Sequence, residues 1–316
     1  LYLSCGDPEL LRGENQANVA EHFKAAMQSE EEFTKLRMSF QIPWTVISVP
    51  TQAWASRVFP EMDADAAEGR LWGELMGFCR VGNNEAIERW RGHVEEIEEH
   101  KRTLNERDYR ELRFTGPGTD LVVGLPEGHK WNGGQARTPD GTPFSPNIPT
   151  EEVFTMPHRD RVEGTVTATR PIHHEGLLIE DLKVTFEGGV AVKVSAAAGQ
   201  EQIERIIAAD EGAARLGEVA LISHDSPIAR SGRLYFNPLI DENAACHLAF
   251  GRAYRDCIEG GDRLSETEFE MAGGNVSSIH IDFMIGSGAM DVIGRLANGG
   301  QETVLKEGRW MLGHSA

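Results

Sequence analysis

The run Ser277-Ser278-Ile279-His280-Ile281-Asp282-Phe283-Met284-Ile285-Gly286 alternates between polar and apolar residues. On a strand this sends Ser278, His280, Asp282 and Met284 to one face and Ile279, Ile281, Phe283 and Ile285 to the other. An imidazole and a carboxylate held side by side by an apolar core suit a metal ion. Alone, the pair also reads as a hydrogen-bonded histidine beside a solvated aspartate. A second cluster is Asp241-Glu242-Asn243-Ala244-Ala245-Cys246-His247, where small residues between Glu242 and His247 permit a turn tight enough for both to reach one ion. The expected local structure is a short helical turn, then a strand paired with the His280 strand. The alternative is one helix with a buried histidine, which sets Tyr254 two turns beyond His247. Glu151 and Glu152 stand in the proline-bounded, partly apolar segment 147–157, and Glu218 in the apolar strand Gly217-Glu218-Val219-Ala220-Leu221-Ile222, where an unpaired charge is costly. Each of these carboxylates is either a ligand or a salt-bridged structural group.

The elements that must position these groups divide near residues 113–116. The expected fold is α/β: a doubly wound N-terminal domain over 1–114, incomplete at its start, then a mixed α+β metal-binding catalytic domain over 115–316 with a largely antiparallel sheet. In the first part, residues 1–4 read as a strand cut off from a preceding segment. Residues 8–40 are helical in character, with Leu10, Leu11, Val19, Phe23, Ala26 and Met27 at helical intervals. Residues 43–50 read as a buried strand between prolines, and 63–79 and 85–104 as helices. In the second part, residues 114–121 read as a loop or turn leading into a strand over 121–124. The segments 182–186 and 190–194, joined by Glu187-Gly188-Gly189, carry a hairpin signal. An amphipathic helix is expected over 200–216.

Composition narrows the function. A net charge of -19, from 50 acidic against 31 basic residues, argues against a nucleic-acid partner, which needs clustered Lys and Arg. The same negative field favours the approach of a cationic group such as a peptide N-terminus. No run approaches the ~20 apolar residues of a membrane span, and no export signal opens the chain. Cys5, Cys79, Cys246 and Cys257 form no C-x-x-C spacing and fit a reducing, cytoplasmic compartment. Asn275-Val276-Ser277 matches a glycosylation acceptor only by chance on this reading. There is no H-E-x-x-H, G-x-S-x-G or Walker loop, so single-zinc protease, serine hydrolase and P-loop readings lack support.

Taken together, N-x-P-T-E-E-V-F-T-x-P, G-E-x-A-L, D-E-N-A-A-C-H with Ala253-Tyr254 beyond it, and H-I-D-F-M-I-G resemble the thermophilic-type metallo-aminopeptidases in order and wording. The resemblance extends to Gly6-Asp7-Pro8, Pro43-Trp44, Pro50-Thr51, Trp54-Ala55 and Phe59-Pro60, and so covers essentially the whole chain. It implies a dimetal site with ligands at Glu152, Glu218, Glu242, His247, His280 and Asp282, Glu218 bridging, and an active-site tyrosine at Tyr254. Four carboxylates balance two dications, Zn²⁺ foremost and otherwise Co²⁺ or Mn²⁺. Two such ions ~3.5–4 Å apart activate water and bind the oxyanion. Tyr254 is then expected to hydrogen-bond the oxyanion, and Glu151 to carry the proton to the leaving amine. The implied substrates are peptides with a free N-terminus, and the implied assembly is a homodimer. The competing readings are a non-catalytic metal-binding or interaction protein, and a dimetal amidohydrolase acting on blocked substrates.

Overall fold

The computed structural model describes residues 1–7, 10–11, 13–82, 84–174 and 177–312, with the side chains of residues 16, 17, 20, 23, 24, 27, 28, 31, 35 and 38 not among them. The expected helical run from residue 8 therefore begins outside the described residues, as do the side chains of Phe23 and Met27. Within that run, helices cover Gln16–Ser29 and Glu31–Met38.

The fold is mixed α/β around a large antiparallel sheet. Its eight strands run in the order Val190–Ser195, Lys183–Glu187, Val162–Thr167, Thr119–Gly124, Glu111–Gly116, Asp291–Arg295, Gln301–Lys306 and Arg309–Trp310. A smaller antiparallel sheet orders His280–Met284, His247–Gly251, Leu216–Leu221 and Val153–Thr155. One apolar core joins them: Leu112, Phe114, Val123, Val184 and Phe186 of the large sheet cluster with Val219, Leu248, Phe250 and Phe283 of the small one. Phe250 stacks on Phe283 with ring centroids 4.9 Å apart. Deleting one such ring would cost about 3–5 kcal/mol, so the face of the small sheet away from this core is held rigidly.

The hairpin between 182 and 194 forms as its glycines require, with Gly188 at φ 55° and Gly189 at φ 79°. The turn expected over 114–121 is shorter than predicted: Glu111–Gly116 and Thr119–Gly124 are paired strands, and Pro117-Gly118 alone supplies the turn. The helix expected over 200–216 ends at Ile207, and Leu216 opens a strand. Asp210 explains the stop, since its carboxylate accepts from the Gly212 and Ser278 amides and from the Ser277 hydroxyl. A side chain competing for backbone donors in this way favours a turn over a helix.

The N-terminal part supplies two strands, Tyr2–Ser4 and Val46–Ser48, to a three-stranded parallel sheet whose third strand is Asn147–Ile148. The expected boundary at 114/115 falls inside the strand Glu111–Gly116. Helix Ala64–Phe78 starts on Asp63, whose side chain accepts from the Ala66 amide. With helix Gln52–Val58 it forms a second core in which Trp54, Phe59, Leu71 and Phe78 pack on Ile228, Tyr235, Ile240 and Ala244. This second core supports the segment that carries Glu242.

Candidate metal centre

The small sheet brings the flagged side chains together through its register. Glu218 pairs across from Ala249, and Ala249 from Asp282, so Glu218, Ala249 and Asp282 form one row on the face turned from the core. His247 lies opposite Ala220, and His280 opposite Gly251. Ala220, Ala249 and Gly251 are the small residues across from His247, from Glu218 and Asp282, and from His280 respectively, although His247 also faces Met284 on its other side. Gly251 is constrained as well, with φ 94° and a position where a Cβ would lie 2.3 Å from the Ile279 carbonyl. The 3-10 turn Glu242–Ala244 leads into the His247–Gly251 strand, which is the turn-then-strand arrangement expected from sequence.

His247 Nε2 lies 3.2 Å from Glu218 Oε1, 3.3 Å from Glu152 Oε2 and 4.0 Å from Asp282 Oδ1. His280 Nε2 lies 3.5 Å from Glu218 Oε2 and 3.5 Å from Asp282 Oδ1. The two oxygens of Glu218 thus face different imidazoles. The candidate ligand atoms of Glu152, Glu218 and His247 all lie within 4.8 Å of one another. Glu242 lines the same cavity as Glu152, Glu218, His280 and Asp282, and its pKa is raised by desolvation and by the charges of Glu152 and Asp282.

The donor set fits divalent cations. Each histidine directs Nδ1 to a backbone carbonyl, His247 to Ala245 at 3.3 Å and His280 to Arg252 at 2.7 Å, an arrangement that orients metal-binding imidazoles. With Nδ1–H so committed, a neutral ring would present the Nε2 lone pair to carboxylate lone pairs, which is stable only around a positive charge: a bound metal ion or, without one, a proton on Nε2. Glu152 Oε2 and Asp282 Oδ1 are buried without a hydrogen-bond partner, unsatisfied acceptors of the kind that coordination satisfies. Electrostatics agree. Desolvation and the Glu218 charge push Glu152 up. Glu218 is driven up by burial but held below the usual carboxylate range by hydrogen bonds from His247 and His280. Desolvation pulls His247 down, but the Glu218 hydrogen bond and the Glu152 and Asp282 charges carry it up to about 10. Four carboxylates crowded on two imidazoles attract cations strongly.

Tyr254 follows the His247 strand, its ring centroid 4.8 Å from that of His280 and 6.1 Å from that of Phe154. Desolvation and the Glu218 and Asp282 charges push its pKa well up, so its hydroxyl stays a donor. Glu151 is not brought into this cluster. Its carboxylate is forked by Arg80, with Nη1 2.8 Å from Oε1 and Nη2 3.0 Å from Oε2, while its neighbour Glu152 faces His247. A carboxylate clamped by a guanidinium is poorly placed to carry protons.

Sequence reasoning did not single out Asn243. It is fully buried, accepts from the Glu151 amide at 2.7 Å, and donates to the Leu239 carbonyl at 2.9 Å and Glu242 Oε1 at 3.4 Å. It therefore ties two candidate ligand segments together. The signal was its place inside the Glu242–His247 motif. His93, whose Nε2 donates to the Thr150 carbonyl at 2.6 Å, was also missed, and helix periodicity offered no signal for it.

In front of the cluster lies a cavity of about 1410 Å³ whose walls include Trp44, Phe154, Tyr254 and the N-terminal residues Arg37 and Phe40. The family model for thermophilic metalloproteases, M29, matches residues 1–310. This chain belongs to that family. Among M29 relatives, aminopeptidase T of Thermus aquaticus is 43% identical over 312 residues, covering 99% of this chain and 76% of that protein. Aminopeptidase 2 of Geobacillus stearothermophilus is 40% identical, covering 98% and 75%. The solved structure of wild-type AmpT from Thermus thermophilus superposes with a TM-score of 0.92 at 42% identity, over 98% of this chain and 75% of that one. Its family and relatives make the chain a metal-dependent hydrolase of peptide bonds. Among the described residues, no helix is long and apolar enough to cross a membrane.

Proposed function

We propose that this metalloprotease is an aminopeptidase that releases residues from peptide N-termini with two divalent ions, Zn²⁺ foremost and Co²⁺ or Mn²⁺ otherwise. The observation that carries this reading is Glu218, whose Oε1 and Oε2 face His247 and His280 respectively, the geometry of a bridging carboxylate. Glu152, Glu242 and Asp282 complete the oxygen ligands. The bound ions would supply Lewis acidity to the scissile carbonyl and a lowered pKa to an attacking water. Tyr254 donates its hydroxyl proton in a hydrogen bond to the carbonyl oxygen as negative charge develops there. Glu151, fixed by Arg80, serves as a positioning residue rather than the expected proton carrier. Four cysteines are free, which supports a reducing, cytoplasmic setting. The family resemblance supports a homodimer, and the net charge of -19 supports peptides over nucleic acid as partners.

Amino-acid p-nitroanilides test the reading, as free amines and as N-acetyl derivatives, with and without chelator. Chelator-sensitive release from free amines only is expected. Release from the blocked series would favour an amidohydrolase, and no release from either would favour a non-catalytic metal-binding protein.

A further inference from the structure

The cavity that opens onto the metal centre has a cationic group on the wall built by the N-terminal segment. Arg37, on helix Glu31–Met38, lines it. The guanidinium carbon of Arg37 lies 4.9 Å from the Tyr2 ring centroid and 5.3 Å from that of Trp44. Trp44 fastens the contact by donating its indole N–H to the Arg37 carbonyl at 3.0 Å. Stacking engages the flat faces of a guanidinium and leaves its edge donors for a planar anion. Among the described residues those donors are unused: Nε is buried with no hydrogen-bond partner there, and the guanidinium makes no ion pair with them.

The other cations of this cavity are engaged or lie elsewhere. Lys101 pairs with Glu98, Arg137 donates to the Gly141 carbonyl, and Arg255 donates to the Gly261 and Leu264 carbonyls. Arg252 acts at the metal end, where its charge bears on Tyr254. The cavity, at about 1410 Å³, exceeds the ~300–1,000 Å³ of an ordinary small-ligand pocket and has room for several residues of peptide.

We propose that Arg37 docks the C-terminal carboxylate of a short peptide whose first residue lies at the metal centre. This rests on the aminopeptidase reading and names its substrate class: unblocked oligopeptides that span the cavity. The guanidinium fork would grip both carboxylate oxygens and fix the length of the preferred substrate.

The test uses peptides of two to six residues, leucine followed by alanines, each as free acid and as carboxamide, with the metal-loaded protein. At the length that reaches Arg37, amidation is expected to raise KM about 10- to 100-fold, the range for a hydrogen bond to a charged group, with kcat little changed. Arg37→Gln should erase the difference, and Arg37→Lys should keep part of it. Turnover of leucine p-nitroanilide, which carries no carboxylate for Arg37 to hold, should be the same in all three proteins. Calorimetric binding of an acid and amide pair with a reduced scissile bond gives the same comparison without turnover. Equal KM and affinity for acid and amide at every length, or a penalty that survives in Arg37→Gln, overturns the proposal while leaving the aminopeptidase reading intact. Absence of any turnover defeats that reading instead, and the calorimetric pair still decides the role of Arg37.

Discussion

Replacing Asn243 separates the architecture of the site from its chemistry. Asn243→Ala deletes an acceptor for the part-buried Glu151 amide and a donor to the buried Leu239 carbonyl. A buried orphaned group costs roughly 1–3 kcal/mol and the part-buried amide falls at the low end, so destabilisation of about 2–4 kcal/mol is expected with chelator present. The same side chain also restrains Glu242, 3.4 Å away, and loss of such a support lowers metal affinity by about 10- to 100-fold. Asn243→Asp is the sharper probe. It keeps an acceptor for Glu151 but places a carboxylate oxygen where the amide donated to Leu239 and Glu242. Zinc competition against a chromogenic chelator, together with urea unfolding of the metal-free proteins, reads both effects. If both variants unfold early yet bind zinc within about twofold of the parent, a small fraction of the expected loss, the linkage of Asn243 to the ligand geometry is wrong.

Glu218→Gln keeps the shape but replaces one carboxylate oxygen with an amide; if Glu218 bridges two ions as proposed, metal analysis should fall from two ions per chain toward one, with turnover lost. Tyr254→Phe should retain both ions and lower kcat about 10²- to 10³-fold, the range for removing one oxyanion donor; unchanged kcat would remove Tyr254 from the chemistry. Glu151→Gln leaves the Arg80 guanidinium without its charge partner and should destabilise by about 3 kcal/mol with full metal content and turnover within tenfold. Normal stability with lost turnover would restore the proton-carrying role. His93 is pulled down to about 4 by desolvation and the Arg80 charge, so between 6.5 and 4 the unfolded chain binds a proton that the folded one does not. Its contribution is complete above pH 6.5 and is lost as pH falls toward 4, amounting to about 3 kcal/mol at ~1.4 kcal/mol per unit. His93→Gln should flatten the acid limb of urea stability, measured with chelator present, by about that amount.

Strand alternation made His280 and Asp282 legible as a pair, because a period of two needs only local sequence. The turn and strand leading through His247 were one of two readings open to the sequence, and the small residues between Glu242 and His247 favoured it over a single helix. What local patterns could not disclose was distance across strands. That Ala249 stands between Glu218 and Asp282 is a matter of register, set by residues thirty positions apart. Glu151 shows the same limit. Its sequence neighbours mark it as functional, but its partner Arg80 is 71 residues away. The helix expected through residue 216 failed at Asp210 because apolar spacing continued while a side chain captured the amides. The turn expected over 114–121 shrank to Pro117-Gly118, because Gly116 and Thr119 on either side of that two-residue reversal already pair as strand residues.

The packing of Trp54, Phe59 and Leu71 onto Ile240 and Ala244 has a thermodynamic corollary for handling the protein. Loosening those early helices would disturb the turn that presents Glu242, so heat should strip cations before the main β-sheet melts. Conversely, saturating metal should protect the early helices from proteases, by an amount that grows with the logarithm of free ion concentration.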